Sequence, residues 1–157
     1  MKWILIIILI SVIMLIAHAV SEQYKQKFDF YDSLKTFLNQ FQINLTFKQE
    51  KILNVLNETK SKKQFNLFIL AYKHYLKTNE LDLSEIKILN IDEKNQLKNM
   101  IESIGKFDSI NETKQIEMFL LEINNKLQKT EKDKEKLCPM ILKLSLLFAI
   151  GLAILLI

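Results

Sequence analysis

Apolar residues recur along this chain every three or four positions, and that rhythm gives way to unbroken hydrophobicity only near the two ends. Trp3 to Val20 carries no formal charge at neutral pH. Its 18 residues, at about 1.5 Å each, make a helix of roughly 27 Å, close to the thickness of a bilayer core. Between Glu22 and Gln42 the apolar positions Phe28, Tyr31, Leu34, Phe37, Leu38 and Phe41 share one helical face, which predicts an amphipathic helix running straight on from the apolar one. Thr46-Phe-Lys-Gln49 and Ser61-Lys-Lys-Gln64 each place a hydroxyl three residues before an amide, the form of a capping box. They predict two further helices, one carrying Phe47, Ile52, Val55 and Leu56, the next Phe65, Phe68, Ile69, Tyr72 and Leu76. Asn79 to Asn90 reads as a connector with one short helix around Leu83 to Leu89. Asn90 or Asp92 then caps a helix with Leu97, Met100, Ile101 and Ile104 on one side, and Gly105 stops it. Asp108 or Ser109 opens the last helix, whose Ile116, Leu120, Ile123 and Leu127 align. After the charged run Lys129 to Lys136, everything from Cys138 to Ile157 is apolar apart from Lys143 and Ser145, so this helix is expected to begin in water and finish in lipid.

The expected architecture is therefore all-α: a cytosolic bundle of about five to six helices, residues 22–136, flanked by transmembrane helices at 1–21 and 137–157. Composition agrees, because two Gly and one Pro are too few for the turns of a sheet-rich domain. Lys25, Lys27 and Lys35 follow the first apolar segment, and Lys126, Lys129, Lys132, Lys134 and Lys136 precede the second. By the positive-inside rule both place the middle of the chain in the cytosol. Trp3 to Val20 also admits a signal-peptide reading, with Lys2 as its basic region and Ala17-His18-Ala19 as the cleavage site. The middle would then lie outside the cell. Retention is preferred, since the helical pattern continues past Val20 without a break. Pro139 lacks an amide hydrogen and is expected to bend the helix near the water boundary. Lys143 lies four residues further in and must reach back toward the cytosolic headgroups, which makes it a candidate membrane anchor.

Charge and chemistry narrow the function. The net charge is +4, and all 22 basic residues are Lys. Without Arg, bidentate reading of bases or phosphates is disfavoured, which argues against a nucleic-acid partner. The one cysteine and two distant histidines offer no metal-ligand spacing. Gly105 and Gly151 make no nucleotide loop, and no serine sits in a nucleophile elbow. No enzyme activity and no cofactor are expected. Cys138 reads as a small apolar residue, with palmitoylation as the alternative. Asn44-Leu-Thr46, Asn57-Glu-Thr59 and Asn111-Glu-Thr113 are sequons that matter only in a secretory lumen. What remains is a membrane-held helical module that contacts other proteins, the bilayer and copies of itself. A generic adaptor of the bacterial envelope fits those terms.

A sharper expectation comes from Ile104-Gly-Lys-Phe-Asp108, from Gln115-Ile-Glu-Met-Phe119, and from the charged stretch Lys126 to Lys136 leading into the apolar tail. In these segments and in overall layout the chain resembles the stage III sporulation protein AB family of endospore-forming Firmicutes. It departs from the family in a longer turn between Asp108 and Gln115, and in Lys rather than Arg after the first apolar segment. The resemblance implies a platform subunit of the channel complex between mother cell and forespore. It would reside in the mother-cell membrane, similar to the inner-membrane platform proteins of type II secretion, and contact a secretion-type ATPase and other channel subunits. Gly105, Asp108 and Gln115 are implied as family-like turn or contact positions with no catalytic task.

Overall fold

The computed structural model describes residues 2–44, 55–56, 62–104 and 109–156. Among them the chain is helical with no strand, and it forms four long helices: α1 (Lys2–Ile43), α2 (Lys63–Thr78), α3 (Ile91–Ser103) and α4 (Ser109–Leu156). Among the described residues the expected count of five to six is not confirmed. Most of the helix expected over 46–56 lies outside the described residues, although Val55 and Leu56 are helical and buried. The expected short helix at Leu83–Leu89 is instead two successive turns, closed by Ile86 N–H to the Leu83 carbonyl (3.2 Å) and Leu89 N–H to the Ile86 carbonyl (3.4 Å). Leu83, Ile86 and Leu89 are all buried. A three-residue period satisfies both the burial of these side chains and the local hydrogen bonds, so no helix is needed to place them.

α1 runs 42 residues without Gly or Pro, the two residues that most disfavour a helix interior. Three of its hydroxyls bond back to their own helix: Ser11 to the Ile7 carbonyl (2.9 Å), Ser33 to the Asp29 carbonyl (2.8 Å) and Thr36 to the Asp32 carbonyl (3.0 Å). Each hydroxyl thus shares a carbonyl that also accepts a backbone N–H of the helix. α4 passes through Pro139 and stays helical on both sides.

The other helix ends show their chemistry. Asn90 caps α3 as a full capping box: its Oδ1 accepts from Glu93 N–H (2.8 Å), while Glu93 Oε2 accepts from Asn90 N–H (2.9 Å). Of the two caps the sequence allowed, Asn90 is thus the one used. α2 begins after Lys62 with no side-chain cap; the Ser61 of the expected capping box lies outside the described residues. α2 ends on Asn79 in the left-handed region (φ 58°), whose N–H returns to the Tyr75 carbonyl (2.8 Å). Asn tolerates that conformation better than most residues. α3 ends at Ile104, its N–H bonded to the Met100 carbonyl (3.3 Å); Gly105 is outside the described residues.

The chain divides into two compact units, Met1–Phe28 with Lys129–Ile157, and Asp29–Gln128. The second unit holds the hydrophobic core. Phe30, Phe37, Phe65, Phe68 and Tyr72 form an aromatic nest, with Phe65 and Phe68 5.1 Å apart and Phe37 edge-on to Tyr72 at 6.2 Å. Edge-to-face rings of this kind add to the gain from burial alone. Leu97, Met100 and Ile101 of α3 and Ile116 and Ile123 of α4 close the core as the spacing predicts. Two expected positions differ. Leu76 is exposed, while Tyr75 packs against the core. Phe28 belongs to the other unit, and Phe30 takes the core position. A run of alternating aromatics, Phe28-Asp-Phe30-Tyr31, does not by itself say which ring turns inward.

Candidate functional site

The unit built from Met1–Phe28 and Lys129–Ile157 is a helical hairpin. The Cys138 thiol donates to the Ser21 carbonyl (3.4 Å), and Ser145 Oγ lies 3.8 Å from Met14 Sδ. Seven residues down α1, from Ser21 to Met14, correspond to seven residues up α4, from Cys138 to Ser145. The helices are therefore antiparallel and in register. The seam is lined by small residues: Ala17, Ser21, Cys138 and Ala149 are all buried. Small side chains let two helix backbones approach closely where lipid gives no hydrophobic drive for association. Many of the other apolar side chains point outward, Ile7, Leu15, Leu147 and Leu155 among them, while Ile6 is buried. Both helices are long and apolar enough to cross a membrane. A core helix of a water-soluble domain would bury such a face, whereas little of either apolar window is buried here. On one side of the seam lies an open apolar groove of about 710 Å³, bordered by Ile13, Ala17 and Val20 and by Ile141, Ser145 and Phe148. Beyond Cys138 toward the charged run, the Lys134 ammonium sits 3.7 Å from the centre of the Phe28 ring, a cation–π contact.

In the unit Asp29–Gln128, polar chemistry gathers at one place. The Tyr31 hydroxyl donates to the Glu93 carboxylate, and Glu122 lies nearby. Lys126 pairs with Glu122 (3.7 Å), donates to the Gln96 side-chain oxygen, and stands 5.8 Å over the Tyr31 ring. Three helices contribute: α1 gives Tyr31, α3 gives Glu93 and Gln96, α4 gives Glu122 and Lys126. The cluster borders a cavity of about 20 Å³ that Leu97 and Met100 line from below, room for about one water. Burial, then the Glu93 carboxylate, push the Tyr31 phenol well above its ordinary value. A neutral phenol held this way is a fixed hydrogen-bond donor. Glu93 spends one oxygen on the α3 cap and also accepts from Tyr31, so the cap and the inter-helix contact share one side chain. The cluster ties helices together, and a cavity of that size admits no organic substrate.

In the connector, the Ser84 N–H and hydroxyl bond the Asp82 carboxylate at 2.8 and 3.0 Å and hold it below the usual carboxylate range. Lys94 reaches the Ser84 carbonyl (3.0 Å) and fastens the connector to α3.

The residues singled out in the sequence do not converge. Gly105 and Asp108 lie outside the described residues. Gln115 sits in the second turn of α4, half-buried, with its side-chain oxygen enclosed and without a hydrogen-bond partner. Lys143 is exposed on α4 in the hairpin unit. His18 and His74 are both exposed, and among the described residues no three His, Cys, Asp or Glu side chains are placed to hold a metal ion. Asn44 of the first sequon is buried. The Tyr31–Glu93–Glu122–Lys126 cluster escaped sequence reasoning, because its members are up to 95 positions apart and each alone looks like a solvated helix face.

The surface of the Asp29–Gln128 unit also carries exposed apolar side chains. Met118 and Leu121, one turn apart on α4, are 63% and 66% exposed. Leu70 on α2 is similarly open.

Neither the curated proteins nor the solved structures contain a match to this chain. The family model for stage III sporulation protein AB matches residues 2–157, and with a match over that length the chain belongs to the stage III sporulation protein AB family.

Proposed function

We propose that this protein is a non-catalytic platform subunit of the channel complex between mother cell and forespore, held in the mother-cell membrane by the hairpin, with the unit Asp29–Gln128 in the cytosol. The observation that carries the reading is the family match along the whole chain, joined to two membrane-length helices whose apolar sides face outward. A subunit of this kind works by contact. Its cytosolic unit docks a secretion-type ATPase and other channel subunits, and exposed Met118 and Leu121 are the apolar positions on α4 that such a contact would cover. The lysines flanking both apolar segments favour this orientation.

Two experiments test it. A cysteine introduced by Lys87→Cys in a Cys138→Ser background should react with an impermeant maleimide only after the cell membrane is opened. Labelling of intact cells would overturn the topology. Full-length protein should co-purify with the ATPase of its complex, and Met118→Asp with Leu121→Asp should weaken that capture while leaving the thermal melt unchanged. Capture that is absent in the wild type refutes the docking role.

A further inference from the structure

Four lysines on α4 of the hairpin unit, Lys129, Lys132, Lys136 and Lys143, follow one another at steps of three, four and seven. At about 100° per residue they fall within an arc of roughly 60°. All four are exposed. Cys138 and Ser145, which reach α1, are each two positions beyond a lysine of this line, and so lie on the opposite side of the helix. The line therefore faces away from the hairpin seam. Lys134 is not part of it, being turned to Phe28. Glu131, Asp133 and Glu135 interleave with these lysines in sequence, yet sit roughly 70–130° around the helix from the middle of the line. Among the described residues none of the four lysines makes an ion pair. The charged run thus looks balanced in sequence while presenting unbalanced positive charge along one face.

We propose that this face binds the phosphate headgroups of anionic phospholipids in the cytosolic leaflet. The inference rests on the membrane reading given above. Lys136 is the last charge before the apolar run, and Lys143 lies seven residues deeper, about 10 Å along the axis. Helical side chains lean toward the helix N-terminus, which in α4 is the watery side. The four-carbon stem of Lys143 brings its ammonium back by about one turn. Lys136 and Lys143 then bracket the headgroup layer from above and below, on the same side, with room between them for a phosphodiester. Lys129 and Lys132 extend the positive face toward water. A protein partner would have to supply its acidic groups at lipid depth against Lys143, whereas a phospholipid carries its phosphate there by construction. A zwitterionic headgroup offsets its phosphate with its own ammonium, so the site favours a headgroup of net negative charge.

The test uses the full chain, reconstituted in vesicles of phosphatidylethanolamine with one-fifth phosphatidylglycerol, then extracted in mild detergent and examined by native mass spectrometry for retained lipid. The wild type should hold phosphatidylglycerol well above its share of the vesicle. Each lysine removed should lower that retention about fivefold, so Lys136→Gln with Lys143→Gln should abolish the preference. Lys136→Arg with Lys143→Arg should preserve it. Lys77→Gln with Lys87→Gln, an equal change of net charge in the other unit, should leave it intact. The proposal is overturned if the Gln pair at 136 and 143 retains phosphatidylglycerol like the wild type, or if the pair at 77 and 87 loses it equally. It is also overturned if the 136/143 variant loses a bound protein while keeping its lipid preference. Resistance of the vesicle-bound chain to alkaline extraction is read separately. Its loss in the wild type would strike the membrane reading itself, whereas an embedded chain with no lipid preference defeats this inference alone.

Discussion

Phe68 has no solvent exposure, and four aromatic rings surround it: Phe65 at 5.1 Å, Tyr72 at 5.9 Å, Phe30 at 6.1 Å and Phe37 at 6.3 Å. These rings come from α1 and α2, so Phe68 is the point where the two helices share their core. Truncation by Phe68→Ala removes a fully buried ring and leaves a cavity, which costs about 3–5 kcal/mol. For a unit of roughly 100 residues each kcal/mol lowers the melting temperature by about 4 °C, giving a drop of roughly 12–20 °C. Phe68→Asp should go further and unfold the unit, because a carboxylate with no partner in that nest faces a large desolvation penalty. Leu70 supplies the control. It stands two residues on in the same helix and is 63% exposed, so Leu70→Asp should shift stability by no more than about 0.5 kcal/mol. The assay is a circular-dichroism melt of the full chain in detergent, followed for the transition of the Asp29–Gln128 unit. If Phe68→Asp and Leu70→Asp melt alike, the assignment of the core face of α2 is wrong.

Two further predictions concern polar groups. Asn90→Ala removes one half of the α3 capping box and should cost about 1 kcal/mol in the same melt, with Asn90→Gly costing less; an unchanged melt would mean the cap is redundant. The Tyr31 phenol is raised above its ordinary value of 10.0 first by burial and then by Glu93. The native state therefore keeps a proton that the unfolded chain releases. Stability should be whole below about pH 10 and decline as the pH climbs beyond it. Tyr31→Phe should flatten part of that alkaline decline while costing about 0.5–1.5 kcal/mol at neutral pH; denaturant midpoints measured from pH 8 to 11 check both.

Much of the fold is legible in the residues because helix formation is local. The spacing of Leu34, Leu38 and Phe41, or of Ile116 and Ile123, names a buried face without reference to any other part of the chain. Asn90 with Glu93 three positions on announces a cap for the same reason. Locality also explains the errors. Phe28 and Phe30 are equally aromatic, and only the partners available on either side decide that Phe30 enters the nest while Phe28 lies under an ammonium. Leu83, Ile86 and Leu89 have a spacing that a helix or a pair of turns would serve equally well.

By itself the sequence settled the all-helical class, the two membrane-length apolar segments and the family, since each depends on the order of neighbouring residues or on motifs read in place. Tertiary structure decided which faces meet. It set the seven-for-seven register of Ser21 and Met14 against Cys138 and Ser145, brought Tyr31, Glu93, Glu122 and Lys126 together, and left Lys129, Lys132, Lys136 and Lys143 on the outside. Those outcomes join positions far apart along the chain. Periodicity can show that a helix has a side to bury, but only the packing of one helix on another determines what that side is buried against.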